Sequence, residues 1–501
     1  MSPRDLLTDP CWRGDDMGLP LPDSTHAVSV ALPRWRDVIA YEENDPSCRS
    51  RLRAVYPRFG FHPLVDALAH QALDQAQTTE AQGSATHSAW PYPSASAADC
   101  AQQHCRRMAP EAITRIVPLN SLQVLLCDEA ATPPAKAFWQ HAGLGASTRQ
   151  AAIALGKEQA PSAEHGREAR DAIRQRLAAI YGDEAQTIAL FPSGMAALHA
   201  ALRLIETLHP ERPVLQVGFP YVDVLKLPQV VFAGAELLTD QSAESVATAL
   251  DRLQPAAVVV ELPSNPMLRC VDLVQLADMA HHRGIPVIAD DTIGSGVNIN
   301  ALPYADLVFS SLTKSFAGQG DVMAGALIAS RHSRWGTAFQ NGLAATPADL
   351  SDADAICLER ASRDLADRIP RLNANCQALA ERLSVHPAVK RVLHPTQCPT
   401  FRTLMRPGAG HGCLLSFELH GGTEAAQQVY DALKVSKGPS LGTHFTLCCP
   451  YVLLAHYDEL DWAEACGVPA HLLRVSVGLE DPAELWSRFE QALNRPGIVK
   501  V

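Results

Sequence analysis

The sequence predicts an α/β protein in which a large domain built on a parallel sheet precedes a smaller C-terminal α+β domain. Three observations lead there. From about 165 to 330, helical patterns alternate with short apolar runs, starting in the amphipathic segment 169–180 and ending in Gly325-Ala326-Leu327-Ile328; such alternation builds doubly wound sheets covered by helices on both faces. Three of the runs, 257–261, 287–290 and 306–310, lead straight into polar residues, and in such sheets the groups at the C-terminal strand ends face the ligand crevice. From about 360 onward, helices mix with alternating strands such as 413–419, the pattern of a separate, smaller α+β unit.

The elements divide the 501 residues into four parts. Residues 1–63 read as an irregular arm suited to wrapping a partner subunit. Residues 64–150 form an accessory insert, with a low-complexity stretch at 78–98 rich in Ala, Ser, Thr and Gln, followed by the apolar run Leu122-Gln123-Val124-Leu125-Leu126; a small α/β unit with a flexible part is expected. Residues 151–340 make the large domain and 341–501 the small one.

Composition sets bounds on function. A hydrophobic share of 47% and a mean hydropathy of −0.03 describe a chain able to bury two or three cores. The net charge of −12 offers no basic face for a phosphate backbone, so no nucleic-acid partner is expected. No apolar run approaches membrane-spanning length. The thirteen cysteines lack metal-ligand spacing in their nearest pairs, Cys100 with Cys105 and Cys448 with Cys449, so no metal is expected. Met1-Ser2-Pro3-Arg4-Asp5 has no signal-like apolar region, and reduced thiols in the cytoplasm are expected.

Within the large domain, Ile188-Ala189-Leu190-Phe191-Pro192-Ser193-Gly194-Met195 reads as a strand, a tight turn and a helix start. Free amides and the helix dipole suit that junction to a phosphate, and Gly194 permits close backbone approach. Val287-Ile288-Ala289-Asp290-Asp291-Thr292 ends a buried strand in carboxylates, which either cap the next turn or hold the protonated ring nitrogen of a pyridine cofactor. Ser311-Leu312-Thr313-Lys314-Ser315 then places a lysine beside hydroxyls at a strand end. Alone it is a weak signal, since such lysines are common and usually solvated; with the upstream carboxylate it suits pyridoxal 5'-phosphate (PLP), which needs an amine within reach of its phosphate anchors. Alternation around Arg474 in Leu473-Arg474-Val475-Ser476 suggests a strand carrying a buried arginine, which needs a structural or a substrate carboxylate.

Together with Ser264-Asn265-Pro266, these ordered motifs resemble the Cys/Met-metabolism family of PLP enzymes, with the aspartate aminotransferase-like fold type I. Within it the chain is similar to the fungal-type cystathionine γ-synthases, over roughly residues 26 to 493, through stretches such as Phe138-Trp139-Gln140-His141 and Lys437-Gly438-Pro439-Ser440-Leu441-Gly442. The resemblance implies that Lys314 is the covalent anchor, Asp290 faces the ring nitrogen and Asn265 the phenolic oxygen. It gives the phosphate to Ser311, Thr313 and the amides of Gly194 and Met195, and stacks Tyr221 on the ring. Tyr56 and Arg58 would reach the phosphate from a neighbouring subunit, in a homodimer or homotetramer with shared sites. Arg474 and Ser440 would hold the substrate carboxylate. Lys226 either binds an anionic tail of the substrate or is a surface lysine. Lys314, Tyr221 and Tyr56 are the candidate proton carriers.

The function implied is a transferase reaction of transsulfuration in methionine and cysteine metabolism: γ-replacement joining an O-acylhomoserine to cysteine to give cystathionine. A γ-lyase, an O-acylhomoserine sulfhydrylase or a γ-substitution enzyme of specialised metabolism would use the same core, and a scaffold without PLP chemistry is the reading from another class. The chain departs from the wider family in Tyr221-Val222-Asp223, where relatives carry Tyr-Gly-Gly, in Pro439, and in Gln319.

Overall fold

The computed structural model describes residues 4–57, 59–79, 86–183, 185–346 and 350–498. Its centre is a seven-stranded sheet ordered Ile188–Phe191, Gly325–Ala329, Leu307–Ser311, Val287–Asp290, Val258–Glu261, Val214–Val217, Ala235–Leu238. The strands are short and apolar because both faces are covered: Val258, Val260, Val287, Ala289 and Val308 join one core, while Val259, Ile288, Leu307 and Phe309 join the core on the opposite face. That period-two division is what a sheet buried on both sides requires.

The expected parallel sheet contains one reversed strand, Gly325–Ala329, antiparallel to both neighbours. Segment 312–324 folds as turns with no helix in it, so the chain re-enters the sheet from the end it has just left; a parallel return would need a crossover. Lys314 sits in that turn, at the same edge of the sheet as Asp290 and Asn265.

A five-stranded sheet, ordered Val389–Leu393, Leu414–Leu419, Leu473–Ser476, Leu447–Pro450, Ser436–Lys437, forms the smaller unit. The change of core falls inside the helix Leu365–Ser384. Its Leu365, Ile369 and Leu372 pack with the large sheet and its Cys376, Leu379 and Leu383 with the small one, while Asp352–Ala361 packs against Ala163–Tyr181. One amphipathic stripe continuous along the helix serves both cores, so the sequence pattern shows no break there.

The insert folds around a three-stranded antiparallel sheet with Leu122–Cys127 between Ser88–Tyr92 and Thr114–Leu119. Leu122, Val124 and Leu126 face Leu64, Val65 and Leu68 of the helix Pro63–Thr79. Leu125 and Cys127 face the opposite way, into a core shared with Phe138 and with Ala197, Ala201 and Ile205 of the large domain. Flexibility was expected across 78–98; residues 80–85 lie outside the described residues, but Ser88–Tyr92 is a strand and Ala97 and Ala98 are buried in the next helix. Small residues there allow close packing of helix on sheet, which composition alone reads as low complexity.

The arm packs along the small sheet. Trp35, Val38 and Tyr41 of the helix Trp35–Glu42 join the core of the small sheet, the Leu32 amide donates to the Lys437 carbonyl at 2.8 Å, and the Tyr430 hydroxyl donates to the Leu32 carbonyl at 2.7 Å. No helix among the described residues is long and apolar enough to cross a membrane.

Candidate active site

The ends of the central strands, the arm and the small sheet enclose a cavity of about 180 Å³. Lys314, Asp290, Asn265, Ser311, Thr313, Gly194, Met195, Tyr221, Tyr56, Ser440 and Arg474 all line it. Two predicted residues stand apart. Arg58 lies outside the described residues. Lys226 is not in the lining; its ammonium is 2.7 Å from Glu459 and over the Trp462 ring, the local ion pair of a surface-type lysine.

At the base of the cavity, Lys314 Nζ donates to the Tyr56 hydroxyl at 3.1 Å and to the Ser440 hydroxyl at 3.2 Å. Tyr56 also shares a hydrogen bond with Tyr221. Burial pushes the Tyr56 phenol up, but the Lys314 charge and the bonds from Tyr221 and Lys314 outweigh it and bring the phenol below its ordinary value. Ser440 holds a left-handed backbone, φ +84°, a strained state for a non-glycine residue that persists only when its surroundings enforce it. Here the enforcement comes from Arg474, whose Nη2 donates to the Ser440 carbonyl at 2.7 Å.

Arg474 is buried, gives Nη1 to Asn265 Oδ1 at 3.1 Å and stacks 4.6 Å from the Tyr451 ring centroid. Among the described residues it forms no ion pair with a carboxylate. A buried guanidinium satisfied only by neutral acceptors is set up for an incoming anion.

Two neighbouring strand ends each bring a buried acid, Glu261 and Asp290, to the cavity lining. Asp290 Oδ1 accepts from the Thr292 amide at 2.9 Å, and burial, with a further contribution from Asp291, pushes its carboxyl up to about 7 despite the hydrogen bonds from Thr292. Glu261, which the sequence reading treated only as a strand end, accepts from the amides of Tyr221 and Asn265, each at 2.9 Å. Burial and the charge of Asp290 push it well up. It ties two site residues to one strand end, and its signal was an acid closing the otherwise apolar run Val258–Glu261. A further pair was not foreseen: His141 Nδ1, on the helix Thr132–Ala142 of the insert, lies 2.9 Å from Asp223 Oδ1, and Asp223 lines the cavity.

The residues fit PLP. The helix Gly194–Leu208 starts at the cavity with Ser193 capping the Ala196 amide at 3.0 Å, and Gly194 and Met195 occupy its first turn, where amides have no intrahelical acceptor. A Cβ on Gly194 would sit 2.7 Å from Ser311 Cβ, so glycine lets turn and strand close into one anion cradle. Thr313 Oγ1 is engaged with Ala324, accepting from its amide at 3.0 Å and donating to its carbonyl at 3.3 Å, so its hydroxyl would donate to a phosphate only by turning from that carbonyl. Asp290, an acid in a dry wall, matches a protonated ring nitrogen.

This predicts a pH signature for the protein free of cofactor. Between the ordinary value of 3.8 and about 7, the folded chain holds a proton on Asp290 that the unfolded chain releases, so folding stability falls as pH rises through that window. Asp290→Asn is expected to remove this contribution, so that the urea midpoint of the cofactor-free variant rises relative to that of the wild type between pH 4 and 7. A difference that stays constant over that range would refute the role of Asp290.

Comparison with known proteins agrees with the geometry. The family model described as Cys/Met metabolism PLP-dependent enzyme matches residues 163–494, and that of the fungal trans-sulfuration enzyme, N-terminal domain, matches 64–147. A cystathionine gamma-synthase of Neurospora crassa is 31% identical, over 95% of this chain and 98% of its own. An L-2-amino-4-chloropent-4-enoate dechlorinase/desaturase of Streptantibioticus cattleyicolor is 33% identical, over 95% and 98%. The crystal structure of cystathionine gamma synthase from Xanthomonas oryzae pv. oryzae in complex with aminoacrylate and cysteine superimposes with a TM-score of 0.58 at 27% identity, over 67% of this chain and 88% of that one. The sheet order, the lysine in its turn and the length of these matches lead to one conclusion: the chain belongs to the Cys/Met metabolism PLP-dependent enzymes, with fold type I and pyridoxal 5'-phosphate as its cofactor.

Proposed function

We propose that this chain catalyses γ-replacement, joining an O-acylhomoserine to cysteine to give cystathionine. The observation that carries the reading is Lys314 Nζ held between the Tyr56 and Ser440 hydroxyls in the cavity that Arg474 also lines: a proton carrier beside a carboxylate receptor. The names of the relatives support the same substrate class.

Bound PLP supplies an electron sink for carbanions next to the amino group. In this reading the amides of Gly194 and Met195, with Ser311 and Thr313, would hold its phosphate, Asp290 would serve its ring nitrogen, Asn265 its phenolic oxygen, and Tyr221 its ring face. Arg58 would add a cation to the phosphate. Arg474 and the Ser440 loop take the substrate carboxylate, which aims the α-hydrogen at Lys314. Lys314 Nζ removes that proton and then one from Cβ, the acyl group leaves Cγ as a carboxylate, cysteine thiolate adds at Cγ, and protons return to Cβ and Cα. Tyr56, whose phenol is brought below its ordinary value, accepts and returns protons with Lys314; positioned groups of this kind contribute about 10²- to 10⁴-fold each. A cytoplasmic location belongs to this reading and is supported by thirteen free cysteines, as does homo-oligomeric assembly, which light scattering checks.

A second reading has its own support. Asp223, paired with His141, stands in the cavity wall where the wider family carries glycine, and the dechlorinase/desaturase shares 33% identity. An extra acid in the cavity lining suits elimination without a thiol partner. Incubating PLP-loaded protein with O-acetyl-, O-succinyl- and O-phosphohomoserine, with and without cysteine, separates the two by mass spectrometry. Cystathionine formed with cysteine present supports replacement; 2-oxobutyrate and ammonia regardless of cysteine would replace it by elimination.

A further inference from the structure

Two of the thirteen cysteines, 128 residues apart in the chain, meet outside the cavity lining. We propose that Cys270 and Cys398 are a peroxide-sensitive thiol pair, in which Cys398 attacks, Cys270 resolves, and the disulfide so formed ties segment 398–404 to the end of the loop that carries Asn265.

The two thiols share a hydrogen bond. The Cys270 amide donates to Cys398 Sγ at 3.3 Å, and that sulfur lies 3.9 Å from the Cys270 carbonyl, so the Cys398 side chain is laid along the backbone of residue 270. Thr400 fastens the contact: its hydroxyl donates to the Cys270 carbonyl at 2.6 Å and sits 3.2 Å from Cys398 Sγ. Phe401 and Leu404 on one segment, and Val271 and Leu273 on the other, pack into the same core of the large sheet. On the far side of Cys270, the Ser264 amide donates to the Arg269 carbonyl at 2.9 Å and the Leu268 amide to the Ser264 carbonyl at 2.7 Å, which closes the loop around Asn265. Thiols held in contact by the packing of both segments need no further search to meet.

The two sulfurs are prepared for different parts. Cys398 is half-buried between exposed Gln397 and Pro399, and the hydrogen bond from Cys270 outweighs burial and brings its thiol down to about 5, which makes it a thiolate at neutral pH. Cys270 is buried, and burial together with Cys398 pushes its thiol well up. The thiolate attacks one oxygen of hydrogen peroxide, the O–O bond breaks, and hydroxide leaves and takes a proton from solvent, which converts Cys398 to a sulfenic acid. The Cys270 sulfur then attacks the Cys398 sulfur; the S–S bond forms, the S–O bond breaks, and hydroxide leaves with the Cys270 proton as a second water. The two thiols lose two electrons to the peroxide, and a dithiol reductant returns them. Other thiols are less suited. Burial pushes Cys357 up to about 11 and raises Cys466, while Cys105 and Cys127, which also share a hydrogen bond, lie buried in the accessory core away from solvent.

The test needs no assumption about the reaction catalysed. Reduced, PLP-loaded protein is treated with an equimolar amount of hydrogen peroxide and then unfolded in iodoacetamide, and its peptides are mapped by mass spectrometry. Peptides containing residues 270 and 398 are expected to be joined, with the other cysteines alkylated, and dithiothreitol is expected to release the pair. Cys270→Ser removes the resolving sulfur, so Cys398 is expected to be trapped by dimedone as its sulfenic acid in higher yield than in the wild type. Cys398→Ser is expected to lose the linkage and to leave Cys270 unoxidised. Oxidation that falls first on other cysteines overturns the proposal, as does a Cys270→Ser chain whose Cys398 gives no dimedone adduct. The wild-type map alone decides the pairing should either variant fail to fold.

Discussion

Lys314→Ala is expected to lower turnover by about 10⁴-fold or more and to remove the long-wavelength absorbance of the lysine-bound cofactor, while PLP is still retained by the rest of the cavity. Both losses follow from one atom. Nζ is the amine whose hydrogen bonds to Tyr56 and Ser440 hold it at the cavity base, and no other lysine lines the cavity among the described residues. In the proposed reaction alanine removes the covalent anchor and the proton carrier together, and it leaves the Tyr56 phenol without the charge that brings it below its ordinary value. Steady-state rates and a spectral titration with PLP check this; wild-type turnover in the variant would overturn the assignment of the site.

Arg474→Leu is the second large effect. Its guanidinium donates to Asn265 Oδ1 and to the Ser440 carbonyl and forms no ion pair with a carboxylate among the described residues. The variant removes the proposed receptor for the substrate carboxylate and leaves those two buried acceptors without the guanidinium. Loss of one partner from a buried charged pair is expected to lower kcat/KM roughly 10²- to 10³-fold, mostly through KM. The absorbance of bound PLP is expected to persist, which separates this effect from that of Lys314→Ala. Arg474→Lys is expected to recover only part of the loss, because an ammonium cannot reproduce the planar fork that reaches Asn265 and Ser440 together. An unchanged KM would show that the carboxylate binds elsewhere.

Much of this site was legible in the sequence because its groups are local to strand ends. Asp290 and Lys314 each follow an apolar run, Gly194 follows another, and a doubly wound sheet puts such positions at one edge. Asn265 and the Ser440 loop were recognisable only through family resemblance, since neither carries a periodic signal. Glu261 was missed as a site residue: its role lies in accepting two amides from separate segments, a contact that no spacing encodes. The His141–Asp223 pair was hidden for the same reason, its members being on the accessory unit and the large domain. Lys226 shows the converse, a residue at a suggestive offset from Tyr221 that tertiary packing gives to Glu459.

By itself, the sequence determined the α/β class, the order of the strand-end motifs and the cofactor chemistry, because hydrophobic period and the residue types at strand ends are properties of short segments. Only the tertiary structure decided that Gly325–Ala329 runs against its neighbours, that one helix serves two cores, and that the Tyr56 hydroxyl meets Lys314 Nζ. Each of these depends on where distant segments come to rest, which is set by the burial of shared apolar surface and by the pairing of buried polar groups rather than by any local pattern.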